Sequence, residues 1–173
     1  MKRLYEMIYR WYAKRHVPVS GFFPGWEDTK DILILYESDI LEKNPEINAI
    51  IASLRRSGRN VTAWGYVEKK EVHAAILPMS RILGIEDITW YQRPRDYVIN
   101  DLLKQDYDLL LDLTVTHPLP MRYLSLLAKA GLRAGMADTA SDLRIMLPAD
   151  GGAKQLFEQI QLYLPNIKTS SAH

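Results

Sequence analysis

The residues best suited to chemistry lie in one run, YDLLLDLTVTHPLP, residues 107–120. A leucine-rich strand carries a single carboxylate, Asp112, and then passes into Thr114, Thr116 and His117 before Pro118 and Pro120. A carboxylate in so apolar a strand is costly unless paired, so Asp112 demands a partner. Arg122, Lys129 and Arg133 are the cations near it in sequence. Thr116 suits the N-cap of a helix whose first turn holds Pro118 and Pro120. Two readings compete: a chemical site, and a strand that hands over to a helix with its polar groups satisfied locally.

The elements around the run are strands alternating with helices. DILILY, from Asp31, is a short β-branched and leucine-rich run of the kind buried on both faces. Asn44-Pro45-Glu46 opens a helix through INAIIASLRRSG, with Asn44 as cap and Gly58 as stop. NVTAWGYV follows as a second strand, and the short spacing implies a right-handed β-α-β unit. EVHAAILPMSRILG reads as a loop or short helical turn, because Pro78 forbids one continuous helix, and DITWY as a brief strand. DYVINDLLKQ is a helix and YDLLLDLT the clearest strand. PLPMRYLSLLAKAG is a helix with Gly131 as its stop, LRAGM and LRIML are short strands, and AKQLFEQIQLYL is the last helix. The fold class expected is a Rossmann-like three-layer α/β domain with a mostly parallel sheet.

In such a sheet, ligands bind beyond the carboxyl ends of the strands, where the winding direction reverses. That puts the tip of the first strand, Glu37, Ser38 and Asp39, opposite Thr114, Thr116 and His117, with Asp112 behind them. A helix start near Pro118 would favour an anion in the crevice. The candidate ligand site is therefore Glu37, Ser38, Asp39, Asp112, Thr114, Thr116 and His117.

Several chemistries are excluded or disfavoured. After DILILY the chain reads ESDILEKNPE without a glycine, so neither the dinucleotide fingerprint nor the nucleoside-triphosphate loop is present. His16, His73, His117 and His173 are scattered and give no ligand spacing, and no metal or cofactor is expected. Glu37, Asp39 and Asp112 together resemble a magnesium set, but carboxylates at strand ends more often cap or face water. There is no G-x-S-x-G elbow, and Asp150-Gly151-Gly152 reads as a tight turn. Without cysteine the chain has no disulfide, thiolate nucleophile or cysteine-based metal site.

With 47% hydrophobic and 25% charged residues the composition is that of a globular domain, and a formal charge of +1 supplies no global field for nucleic acid. A chain of 173 residues can bury roughly 70% of its unfolded surface in one core. No apolar run is long enough to span a bilayer and no signal peptide is evident, so a cytoplasmic location is expected.

The organisation expected is an amphipathic helix over 1–16, an irregular linker over 17–30, the α/β domain over 31–168 and a disordered tail over 169–173. In RLYEMIYRWYAKR, residues 3–15, Leu4, Met7, Ile8 and Trp11 fall at helical spacing. They are expected to dock on the domain or a second subunit in preference to a membrane surface. Leu4, Ile8 and Trp11, with Phe22 and Phe23 of FFPGW, form the expected surface for a homodimer or protein partner.

Two resemblances can now be stated. YDLLLDLTVTHPLPMRYLSLLAKAGLRAGM resembles the segment of family 9, heptosyltransferase-type glycosyltransferases in which a D-L-x-x-D-L strand precedes a helix and a short R-x-G strand. The matching positions run from Tyr107 to Leu113 and from Leu124 to Ala130, with Arg133 and Gly135. This resemblance implies a Rossmann-like domain and a transferase- or hydrolase-type activity completed by a partner domain or subunit. Over most of residues 1–165 the chain is similar to a bacterial family of short single-domain proteins of unknown function. The basic first helix, the YDLLLDL strand, the L-P-M-x-Y-L helix from Leu119 and the L-F-E-Q-I helix from Leu156 to Ile160 carry this likeness. It implies a fold and a compartment but no activity. The function expected is a non-catalytic binding or assembly module with a small-anion, nucleotide or sugar-phosphate crevice; the alternative is the partner-dependent enzyme.

Overall fold

The computed structural model describes residues 1–18, 20–38, 44–68, 80–136 and 141–169. Six strands form one sheet: β1 (Asp31–Glu37), β2 (Asn60–Tyr66), β3 (Ser80–Leu83), β4 (Tyr107–Asp112), β5 (Ala130–Met136) and β6 (Leu143–Ile145). Their order is β3-β2-β1-β4-β5-β6 and every pairing is parallel. This is the strand order of a Rossmann fold, with the winding reversed between β1 and β4.

Among the described residues five α-helices accompany the sheet: α1 (Lys2–Arg15), α2 (Pro45–Arg56), α3 (Asp96–Leu102), α4 (Leu119–Leu127) and α5 (Ala153–Tyr163). Alternate residues of β1 and β4 face opposite layers. Ile32, Ile34, Leu109 and Leu111 pack with α2 and α5, while Leu33, Leu35 and Leu110 pack with α3 and α4. Both layers are apolar, which is why these strands read as continuous hydrophobic runs. Asp112 falls by alternation on the α4 side and is fully buried.

Three local expectations need correction. The brief strand expected at DITWY is a 3-10 turn over Ile85–Asp87 followed by one bridge from Ile88 to Pro94. The third strand lies earlier, at Ser80–Leu83, just beyond the proline that broke the helix pattern; Pro78 itself is outside the described residues. Gly131 is no helix stop. The chain leaves α4 at Ala128 in an extended conformation, and Gly131 is already in β5.

Gly131 has a different role, at a close crossing of two backbones. A side chain there would collide with the Phe22 carbonyl, because segment 20–23 crosses this point. Gly21 donates its N–H to Ala130 O at 2.9 Å and Ser20 bridges Ala130. Phe23 is 1% exposed inside the α2–α5 layer, so its expected place in a partner surface is not available, whereas Phe22 is exposed. The Trp26 ring is covered by the Arg59 guanidinium at 3.9 Å. The aromatic stretch is mainly core.

Helix α1 packs on α4 through a face other than the one its hydrophobicity suggested. Tyr9 and Tyr12 meet Tyr123 edge-on, with ring centroids 4.9 and 5.2 Å apart. Arg122 lies over Tyr9 and pairs with Glu6 at 2.6 Å. Leu4, Met7 and Trp11 point away and are exposed. Among the described residues no helix is long and apolar enough to cross a membrane.

Candidate functional site

The tips of β1 and β4 are adjacent, since Leu35 pairs with Asp112, and Leu113 N–H continues to Leu35 O at 2.8 Å. Beyond them the loop 113–118 turns over the switch point. Glu37, at the end of β1, accepts the N–H of Val115 at 3.1 Å and of Thr116 at 2.7 Å, and the Thr116 hydroxyl as well. A carboxylate of the chain itself thus occupies the N–H groups that a bound anion would use. Thr116 is spent on this clamp, and the residue capping α4 is Pro118, with no side-chain bond.

The start of α4 has little else to offer an anion. Pro118 and Pro120 lack an N–H, and the Met121 and Arg122 N–H groups both reach Pro118 O. The dipole remains, but few of its donors are free.

Asp112 takes its bonds from within the run. Its Oδ1 accepts the Thr114 N–H at 3.2 Å and the Thr114 hydroxyl at 2.6 Å, while Oδ2 is buried without a partner among the described residues. The cations near it in sequence are engaged elsewhere. Arg122 pairs with Glu6, Lys129 with Asp106, and the buried Arg133 guanidinium bonds the carbonyls of Ser125, Ala128 and Ala130 where α4 ends. Burial therefore pushes the Asp112 carboxyl above the ordinary carboxylate range, opposed by its Thr114 bonds and by His117, with Glu37 adding to the rise. Because Oδ1 accepts from Thr114, Oδ2 is the oxygen left to carry a proton when the acid is neutral.

His117 completes the cluster. Its Nδ1 lies 3.3 Å from the Thr114 hydroxyl oxygen. That hydroxyl has already given its one proton to Asp112, so the contact assigns a proton to Nδ1, and whenever the ring is uncharged Nε2 is its acceptor. Nε2 is also buried without a partner among the described residues. The His117 backbone is held at φ 52, a left-handed conformation that costs a non-glycine residue on the order of 1 kcal/mol or more. The Glu37 clamp on the two preceding residues holds it there. Asp112 Oδ2 and His117 Nε2 are thus two buried polar atoms without partners among the described residues, linked through Thr114.

The structure brings together Glu37, Asp112, Thr114, Thr116 and His117. Ser38 turns away: its hydroxyl accepts the Asn44 side-chain amide at 2.9 Å at the start of α2. Asn44 itself is left-handed and caps the helix through its backbone carbonyl, which accepts the Asn48 N–H at 3.0 Å, and not through its side chain. Asp39 lies outside the described residues, so the carboxylate trio cannot be placed; among the described residues no cluster of three metal-ligating side chains occurs.

The candidate set omitted two tyrosines. Tyr9 comes close enough for Asp112 to bear on its phenol, which burial raises above the usual tyrosine value and Arg122 draws back. Tyr123 is fully buried, its hydroxyl has no partner among the described residues, and burial carries it to about 12. Tyr5, Tyr9 and Tyr12 recur at i, i+4 and i+7, a helical stripe visible in the sequence.

Among solved structures, the chain is similar to E. coli heptosyltransferase WaaC with ADP, at 16% identity and a TM-score of 0.47, over 82% of this chain and 49% of that one. It spans about half the length of that enzyme. No curated protein matches. A family model described as a family of unknown function (DUF6913) matches residues 13–167, most of the chain, and the protein belongs to that family.

Proposed function

We propose that the protein is a binding module that takes a small ligand of the sugar-phosphate or nucleotide class in the β1–β4 crevice. The ligand presents a hydroxyl of its ring, not its phosphate, to Asp112 and His117. One observation carries this reading: Asp112 Oδ2 and His117 Nε2 are both buried and unpartnered at the switch point. A buried polar atom left unsatisfied costs about 1–3 kcal/mol, and a hydroxyl, being donor and acceptor at once, satisfies both. The occupied N–H groups of Val115 and Thr116 argue against the phosphate as the anchoring group. Because both atoms are shut from water, the ligand reaches them only when the Glu37 clamp opens.

The partner-dependent enzyme is favoured by one feature, His117 and the buried Asp112 carboxyl linked through Thr114, a pair with the makings of a general base and acid. In that case a second domain or subunit supplies the remainder of the site.

A thermal-shift screen with sugars, phosphosugars, nucleotides and sugar nucleotides tests the proposal. A ligand at a hundred times its dissociation constant stabilises by about 2.7 kcal/mol, or about 5 to 10 °C here. The shift is expected to fall away in Asp112→Leu, which removes the polar group facing the ligand hydroxyl, and in His117→Gln. A flat panel, or a shift untouched by both substitutions, overturns the reading.

A further inference from the structure

With its tyrosine face committed to α4, α1 leaves a second apolar stripe in solvent. Leu4, Met7 and Trp11, at i, i+3 and i+7, are 42%, 64% and 56% exposed. Basic side chains flank the stripe: Arg3, Arg10 and Lys14 on one side, and Arg15 on the other, its guanidinium over Trp11 at 3.8 Å. The helix has one acid, Glu6, and that is neutralised by Arg122. An apolar ridge with indole and thioether at its centre and cations along both edges is the pattern of a helix lying in the plane of a lipid surface.

We propose that this outer face of α1 docks on an anionic lipid surface, Leu4, Met7 and Trp11 entering the headgroup region and the basic flanks meeting lipid phosphates and carboxylates. Charge favours this occupant over a second copy of the chain, because ridge-to-ridge pairing of two such helices would set basic flank against basic flank with no free acid on either. It is favoured over nucleic acid by the ridge, since Leu4 and Met7 offer nothing to a phosphate backbone and cannot stack as aromatic rings do. The inference stands apart from the crevice reading, and neither depends on the other.

Flotation of the full chain with vesicles of phosphatidylcholine alone, or of phosphatidylcholine with phosphatidylserine, is the test. Binding is expected only with phosphatidylserine, weakening as salt rises, and falling about fivefold for each of Arg10→Gln and Lys14→Gln. Trp11→Ser should weaken binding while leaving the melting temperature unchanged, because the side chain is exposed. Three results overturn the proposal: no flotation with phosphatidylserine vesicles at low salt; a dimer in solution that Trp11→Ser dissociates; or capture by single-stranded polynucleotide that is indifferent to Trp11→Ser.

Discussion

The Glu37 carboxylate holds Thr116 by its backbone N–H at 2.7 Å and by its hydroxyl, joining the tip of β1 to the loop beyond β4. That contact ties the loop beyond β4 to the end of β1, immediately before His117 in its left-handed conformation. Glu37→Ala is expected to cost about 1–2 kcal/mol in urea denaturation, because two backbone donors lose a charged acceptor to water only in part. It should also speed ligand association in stopped-flow measurements, since the clamp no longer has to open.

Asp112 gives a pH signature. Its carboxyl is raised by burial above the unfolded value, so the folded chain binds a proton the unfolded chain has released. The associated stability is complete below the ordinary carboxylate range and is lost as pH rises through the raised folded value. Asp112→Asn keeps an oxygen for both Thr114 bonds and carries no charge to bury. Thermal melts across pH should show a decline on the alkaline side of the carboxylate range in the wild type that is smaller in Asp112→Asn; identical profiles would mean that Asp112 is ionised at little cost.

The alternation of strand and helix was legible because buried strands and amphipathic helices leave different periods in DILILY, YDLLLDL and INAIIASL. The adjacency of the β1 and β4 tips, from which the candidate site was placed, followed from the strand order expected of alternating strands and helices. What the sequence concealed were competing uses of the same polar groups. Thr116 looks like a cap until Glu37, distant in sequence, is found taking its hydroxyl. Gly131 looks like a helix stop until the Phe22 carbonyl is found beside it. The face of α1 was misread because Leu4, Met7 and Trp11 score as core residues, while the docking is decided by Tyr123 and Arg122 on another helix. β3 is four residues with Arg81 inside, paired to Asp101, and has no apolar run to announce it.

The close crossing at Gly131 should be unforgiving. Gly131→Ala drives a methyl into the Phe22 carbonyl, a backbone atom that cannot swing aside. A loss of about 1–3 kcal/mol is expected, together with faster proteolysis within segment 17–30 as it lifts from β5.

Arg133 holds the end of α4 by bonding three carbonyls from a site 1% exposed. Arg133→Met should cost about 3–5 kcal/mol, since those acceptors stay buried. Arg133→Lys should recover only a minor part, because one ammonium cannot span three carbonyls as the guanidinium fork does. Equilibrium denaturation of the two variants checks this.

The most direct test of the crevice is the imidazole of His117, observed by long-range proton–nitrogen NMR and assigned among the four histidines by comparison with His117→Gln. The expected spectrum shows the uncharged ring protonated at Nδ1 with a bare Nε2, and the Nε2 resonance moving when a ligand from the thermal-shift screen is added. A ring protonated at Nε2, or an Nε2 resonance indifferent to a ligand that stabilises the fold, would contradict the account.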